Sequence, residues 1–122
     1  MRERGQATVE FALCLPFVAI LLAVLFEVGM VVSDQVRLWH AAREAARVAV
    51  VDPDPAAARR AAVGVGLEDV AVAVTPERVG RRQGEPLTVS LTYRPPGRMP
   101  LIGELFAHLH LRAQATMRIE QP

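Results

Sequence analysis

Hydrophobic positions follow three rhythms along the chain. From Phe11 to Val32 they are nearly continuous, broken only by Pro16, Glu27 and Gly29. At 1.5 Å per residue these 22 positions make a helix of roughly 33 Å, about the hydrocarbon thickness of a bilayer. From Val31 to Ala49 the rhythm becomes helical and one-sided. At 100° per residue, Val31, Leu38, Ala42, Ala45 and Ala49 share a stripe, with Ser33, Arg37, His40, Arg43, Glu44 and Arg47 on the other side. Beyond residue 69 the period shortens to two. Val70, Val72 and Val74 alternate with alanines, Leu87, Val89, Leu91 and Tyr93 with Thr88, Ser90 and Thr92, and Leu111, Ala113, Ala115, Met117 and Ile119 with mostly polar residues.

Turn chemistry divides these regimes into elements. Asp52-Pro53 ends the first helix, because a residue before proline is pushed out of the α region. Asp54 is placed to cap a second helix with Pro55 in its first turn, running through Ala56 to Val63 and stopped by Gly64 and Gly66. That Gly-x-Gly is a helix stop, with no strand before it and no helix after it to complete a nucleotide-binding turn. Thr75 to Glu85, rich in Pro, Gly and Arg, reads as a hairpin loop. Arg94 to His108, with Pro95-Pro96-Gly97 ahead of the apolar residues Leu101, Ile102, Leu105 and Phe106, is a packed loop with a helical turn or a contact surface. The fold class is α+β. It comprises a long N-terminal transmembrane and amphipathic helix, a short second helix and a small three-stranded antiparallel β-sheet.

The apolar run follows a short basic head, Arg2 and Arg4 against Glu3, and no larger basic cluster adjoins its far end. By the positive-inside rule the N-terminus stays cytoplasmic and the C-terminal domain lies outside, in a single pass. A cleaved secretory signal has the same polarity, but its apolar region is about 7 to 15 residues and ends at a small-residue cleavage site. A buried helix of a soluble core is the other alternative, and so long a run is rare in so small a domain.

Composition adds limits rather than a function. The 122 residues leave room for one small domain beyond the anchor, and 14 basic against 13 acidic side chains give a net charge of +1 with no nucleic-acid footprint. Cys14, the single cysteine, lies in the apolar run and reads as a small hydrophobe, so the outer part has no intramolecular disulfide. His108 and His110 share a strand face, but a metal site needs further ligands at recognisable spacing. Ser33, Ser90 and Tyr93 have no histidine partner that sequence can place, and no catalytic site, metal, cofactor or small-molecule substrate is expected. Glu27 sits in the last third of the run, either reaching water or Arg37 of another copy near the outer interface, or making a helix-to-helix contact in a membrane assembly.

At the head of the run, Glu10 falls five residues after Gly5 and immediately before Phe11, a costly place for a carboxylate unless it is paired or interfacial. Gly5 with Glu10-Phe11 resembles the processing site of type IV prepilins. The segment Gly5-Gln-Ala-Thr-Val-Glu-Phe-Ala-Leu through Leu15-Pro16, with Ala41-Ala42-Arg43-Glu44-Ala45-Ala46-Arg47 further on, is similar to the TadE-like pseudopilins of bacterial tight-adherence (Flp-type) pili. The resemblance implies a leader at residues 1–5 cut between Gly5 and Gln6, with Glu10 and Phe11 serving peptidase recognition and assembly. The remaining divisions are then a membrane helix at 6–32, its amphipathic continuation at 33–51 and an extracytoplasmic α+β domain at 52–122.

Pro16 cannot donate its amide hydrogen bond and crowds the carbonyl of Ala12, which favours a kink near residues 12–16. In the resembling pilins a break at this depth accompanies packing into a filament; a plain kinked anchor is the alternative. Leu38, Ala42, Ala45 and Ala49 form a helix-packing face for the domain's own sheet or for another protein's helix. The resemblance also implies a prepilin peptidase, other pilins and pseudopilins, and an assembly ATPase with its pilus machinery as partners, besides the lipid bilayer itself. Major pilins of that system lack a globular domain, so the outer domain here points to a minor component, in the bacterial cytoplasmic membrane or carried into the pilus, that serves adhesion, biofilm formation or secretion. Two other readings stand: a membrane-anchored envelope binding domain with no pilus role, and a membrane-associated, metal-dependent enzyme.

Overall fold

The computed structural model describes residues 2–64, 66–67, 69–96, 98, 102–106 and 108–120. Gly97 and Leu101, two of the residues read above in the long connection, lie outside them.

A single helix, α1 (Arg2–Ala49), runs for 48 residues, about 72 Å, and passes through Pro16 as one element. No proline follows Pro16 until Pro53, and Ala-rich sequence carries the helix past the apolar run into the polar part of the chain. It unwinds at Val50 and Val51, whose neighbour Asp52 still donates its N–H to the Val48 carbonyl at 2.8 Å. Asp52 then accepts the Asp54 N–H through Oδ1 at 2.9 Å, which shapes the corner between helices. The second helix, α2 (Pro55–Val63), begins where Asp54, in an extended conformation, accepts the Ala56 N–H through Oδ1 at 3.0 Å.

Three strands form one antiparallel sheet in the order β1 (Ala71–Thr75), β2 (Pro86–Tyr93), β3 (Leu111–Arg118). Val72 pairs with Leu91 and Leu91 with Ala113, so the apolar faces of all three strands coincide. The central strand buries Leu87, Val89, Leu91 and Tyr93, while Thr88, Ser90 and Thr92 turn outward. Across the outer face the Thr88 and Thr116 hydroxyls meet at 2.9 Å. β1 is an edge strand, and its valines are only half covered.

The core lies between this sheet and α1. Leu38, Ala41, Ala42, Ala45, Ala46 and Ala49 meet Leu87, Val89, Leu91, Tyr93, Ala113 and Ile119, with Ala58 and Ala62 of α2 closing one side. Alanine methyls let the backbones approach closely, and the bulk comes from the strands. Two links tie the far end together: Gly84 donates its N–H to Ile119, and Glu120 donates to Val50. Gly84 has φ +82°, a conformation that side chains resist, in the turn leading into β2.

The connection after β2 contains a single helical turn, α3 (Gly103–Phe106), and packs against the domain through Pro95, Ile102 and Gly103. Of the two alternatives for this stretch, a packed loop with a helical turn is therefore present.

Candidate functional site

The first half of α1 has no protein around it. Every described residue from Arg2 to Leu22 is exposed, including Gly5, Gln6, Glu10, Phe11, Cys14 and Pro16. The space beside Gly5 is open, with no atom within 4 Å of the place a Cβ would occupy. Glu10 receives the Gln6 side-chain amide at 3.4 Å, one turn back along the helix, and the Thr8 hydroxyl donates to the Arg4 carbonyl at 2.9 Å. Leu38, Ala42, Ala45 and Ala49 are placed differently, inside the core against the chain's own strands. Gln35 adds a polar tie above Leu38's neighbour turn, donating its side-chain amide to the Arg112 carbonyl at 2.9 Å.

Between the bare half and the packed half lies a group of charges that one connection brings together. Glu27 and Asp34 are fully buried, 0% and 1% exposed, although both sit on a helix that is otherwise uncovered below them. The Arg98 backbone N–H donates to Glu27 Oε1 at 3.2 Å, and the Arg98 guanidinium donates through Nη2 to Asp34 Oδ2 at 2.7 Å. The Arg98 side chain is 24% exposed and that of Asp34 2%, so the pair is largely withdrawn from water. Its hydrogen bond to Asp34 holds the guanidinium above the ordinary arginine range, and the cation is permanent. Arg98 Nη1 is buried without a hydrogen-bond partner, so the guanidinium is not fully satisfied.

This placement corrects the reading of Glu27. The residue is buried rather than reaching bulk water, and it accepts a backbone N–H from its own chain's β2–β3 connection. Asp34 and Arg98 were not singled out from sequence at all. A signal for the first existed: residues 27, 34, 38, 42, 45 and 49 lie on one line of the helix, so extending the alanine stripe toward the N-terminus reaches both acids. The cation, 64 residues from Asp34 in the chain, left no local signal.

A second arginine, Arg81, is buried in the hairpin loop and donates to the Ala49 carbonyl at 3.2 Å and the Pro76 carbonyl at 3.3 Å. A cation at the last turn of α1 satisfies an orphan carbonyl and complements the helix dipole.

Chemistry beyond positioning is sparse. His108 and His110 are exposed, and His110 Nδ1 lies 3.0 Å from the carbonyl of His108. Among the described residues no three potential metal ligands come together. The groove between α2 and β1, lined by Arg59, Val72, Val74, Glu77 and Arg81 among others, brings no nucleophile to a base.

By length and composition α1 can cross a membrane, and its most apolar window is wholly unburied by the rest of the chain. No curated protein and no solved structure matches this chain. Residues 5–47, a stretch that takes in the bare half of α1, both buried acids and most of the alanine stripe, match the family model described as TadE-like protein.

Proposed function

We propose that the chain is a minor pseudopilin of a tight-adherence pilus system, anchored by α1 in the bacterial cytoplasmic membrane with its N-terminus inside and its α+β domain outside. The observation that carries this reading is the coincidence of the TadE-like segment with a helix that is bare over its first half and roofed by a small domain over its second. A helix of that kind supplies one surface to lipid or neighbouring helices and another to its own sheet, as an assembly subunit requires. Arg2 and Arg4 ahead of the apolar run support the orientation.

In this reading a prepilin peptidase cuts between Gly5 and Gln6, whose surroundings are open to an enzyme. The new ammonium at Gln6 stands at the membrane edge beside carboxylates at Glu10, its own or a neighbour's. A charge buried alone there is costly, so the pair favours registered assembly with other pilins and pseudopilins over random contact. The assembly ATPase and its machinery act from the cytoplasmic side, and the protein's part is structural: it primes, joins or caps the filament.

Intact mass and N-terminal sequencing of the protein from its native membrane test this. Mature chain beginning at Gln6 is expected, with Gly5→Leu unprocessed and Glu10→Gln processed but impaired in piliation. A chain that still begins at Met1 while pili are normal refutes the proposal and favours a plain membrane-anchored envelope domain.

A further inference from the structure

The end of the β2–β3 ladder, where Tyr93 pairs with Leu111, lies level with Gln35, because Gln35 reaches the carbonyl of Arg112. From that level the connection does not turn outward. It runs back along α1 until the Arg98 N–H meets Glu27, eight residues and about 12 Å nearer the helix N-terminus. On the side of the helix turned away from this contact the surface stays apolar: Val28, Val32 and Val36, one above the other at four-residue spacing, are all exposed. A hydrocarbon layer beginning at Phe11 and about 30 Å thick reaches to about Val32. Arg98, within the connection, and the top of the apolar run therefore occupy the same height.

The side chains of the connection fit that position. Ile102 and Gly103 are buried in the domain, whereas Leu105 is 75% exposed and Leu109 also stands out, with Phe106 half covered between them. Exposed arginines, Arg94 and Arg112, flank the connection at the ends of β2 and β3, suited to phosphate headgroups, with Glu104 and Asp69 the exposed acids at this end. Arg98, the charge carried deepest, is paired with Asp34, so its descent beside the apolar run leaves no naked cation in hydrocarbon.

We propose that the β2–β3 connection, around Leu105, Phe106 and Leu109, is a membrane-surface element seated in the leaflet that faces the domain. The domain thus sits directly on the bilayer, held at a fixed depth by the Glu27–Arg98–Asp34 contact, rather than standing off on an extended stalk of helix. This rests on the membrane-anchor part of the proposed function but not on the pilus part.

The test uses the full chain, with Cys14→Ala, reconstituted in vesicles of phosphatidylethanolamine and phosphatidylglycerol. An environment-sensitive fluorophore is attached at Leu105→Cys or, as a control, at Val79→Cys, which is 100% exposed in the hairpin loop at the other end of the sheet. Both substitutions are at exposed positions, and unchanged Trp39 emission reports that the fold is kept. Expected is a blue-shifted label at 105, quenched several-fold more strongly by lipids brominated near the headgroup than the label at 79. Equal, weak quenching at both positions in chain that floats with the vesicles overturns the proposal. A blue shift at 105 without bromine quenching also overturns it, assigning the patch to contact with a second copy. Failure of the chain to float with vesicles refutes the membrane anchor itself, and this inference falls with it.

Discussion

Replacing Arg98 by alanine removes the cation that pairs with Asp34, and the consequence can be worked from burial. The Asp34 side chain is 2% exposed. Breaking a buried pair by deleting one partner costs about 3 to 5 kcal/mol, because an uncompensated charge remains inside. Since Arg98 itself is 24% exposed, water already reaches part of the site, and the expected loss for Arg98→Ala is toward the lower end, about 3 kcal/mol. The reverse substitution is milder. In Asp34→Ala the stranded guanidinium can swing into solvent, and the loss is that of a charged hydrogen bond, about 1.5 to 2 kcal/mol. The double variant should lose less than the sum, since neither buried charge is left alone, which makes the coupling measurable in a double-mutant cycle. Denaturant titration of the full chain in detergent micelles, followed by Trp39 emission, reads all three. Losses below about 0.5 kcal/mol for Arg98→Ala, or a larger loss for Asp34→Ala than for Arg98→Ala, would refute the buried-pair reasoning, since changes of that size are typical of ordinary surface sites.

Two further outcomes probe the domain. Leu91→Ala, at the centre of the core, should cost about 2 to 5 kcal/mol in the same titration, while Thr92→Ala on the outer face should stay within about 0.5; similar losses at both would show the strand facing to be wrong. Asp54→Ala removes the cap that accepts the Ala56 N–H and should cost about 1 kcal/mol, whereas Asp54→Ser should recover most of it; no difference between the two would deny the cap a role.

Charge placement along α1 gives the protein its division of labour. Below Glu27 the helix offers apolar side chains, the Gly5–Phe11 junction and the charged head Arg2–Arg4, and above Asp34 it is a wall of the domain's core. The two acids and Arg98 lie at the changeover, so the connection is fastened to the helix where its surroundings change. Acids that are held by a guanidinium or a backbone N–H are suited to that height, because a lone carboxylate on the apolar run would have to pair or reach the interface.

How much of this was legible in the chain follows from the range of each interaction. Hydrophobic period is a local property, and it placed α1, α2 and all three strands with their inward faces, down to Leu87, Val89 and Leu91 on one side of β2 and the alanines on one side of α1. Capping is local too, so Asp54-Pro55 marked the second helix unaided. The junction around Gly5 and Glu10 was legible for the same reason, as a short run of adjacent residues. Strand order, the descent of the β2–β3 connection along α1, and the closing of Arg98 on Asp34 and Glu27 were decided only by tertiary structure. The last two join residues more than 60 positions apart in the chain, where no local pattern selects one partner over another, and an acid on an apolar helix reads the same whether it faces lipid, water or an arginine until the fold brings that arginine to it.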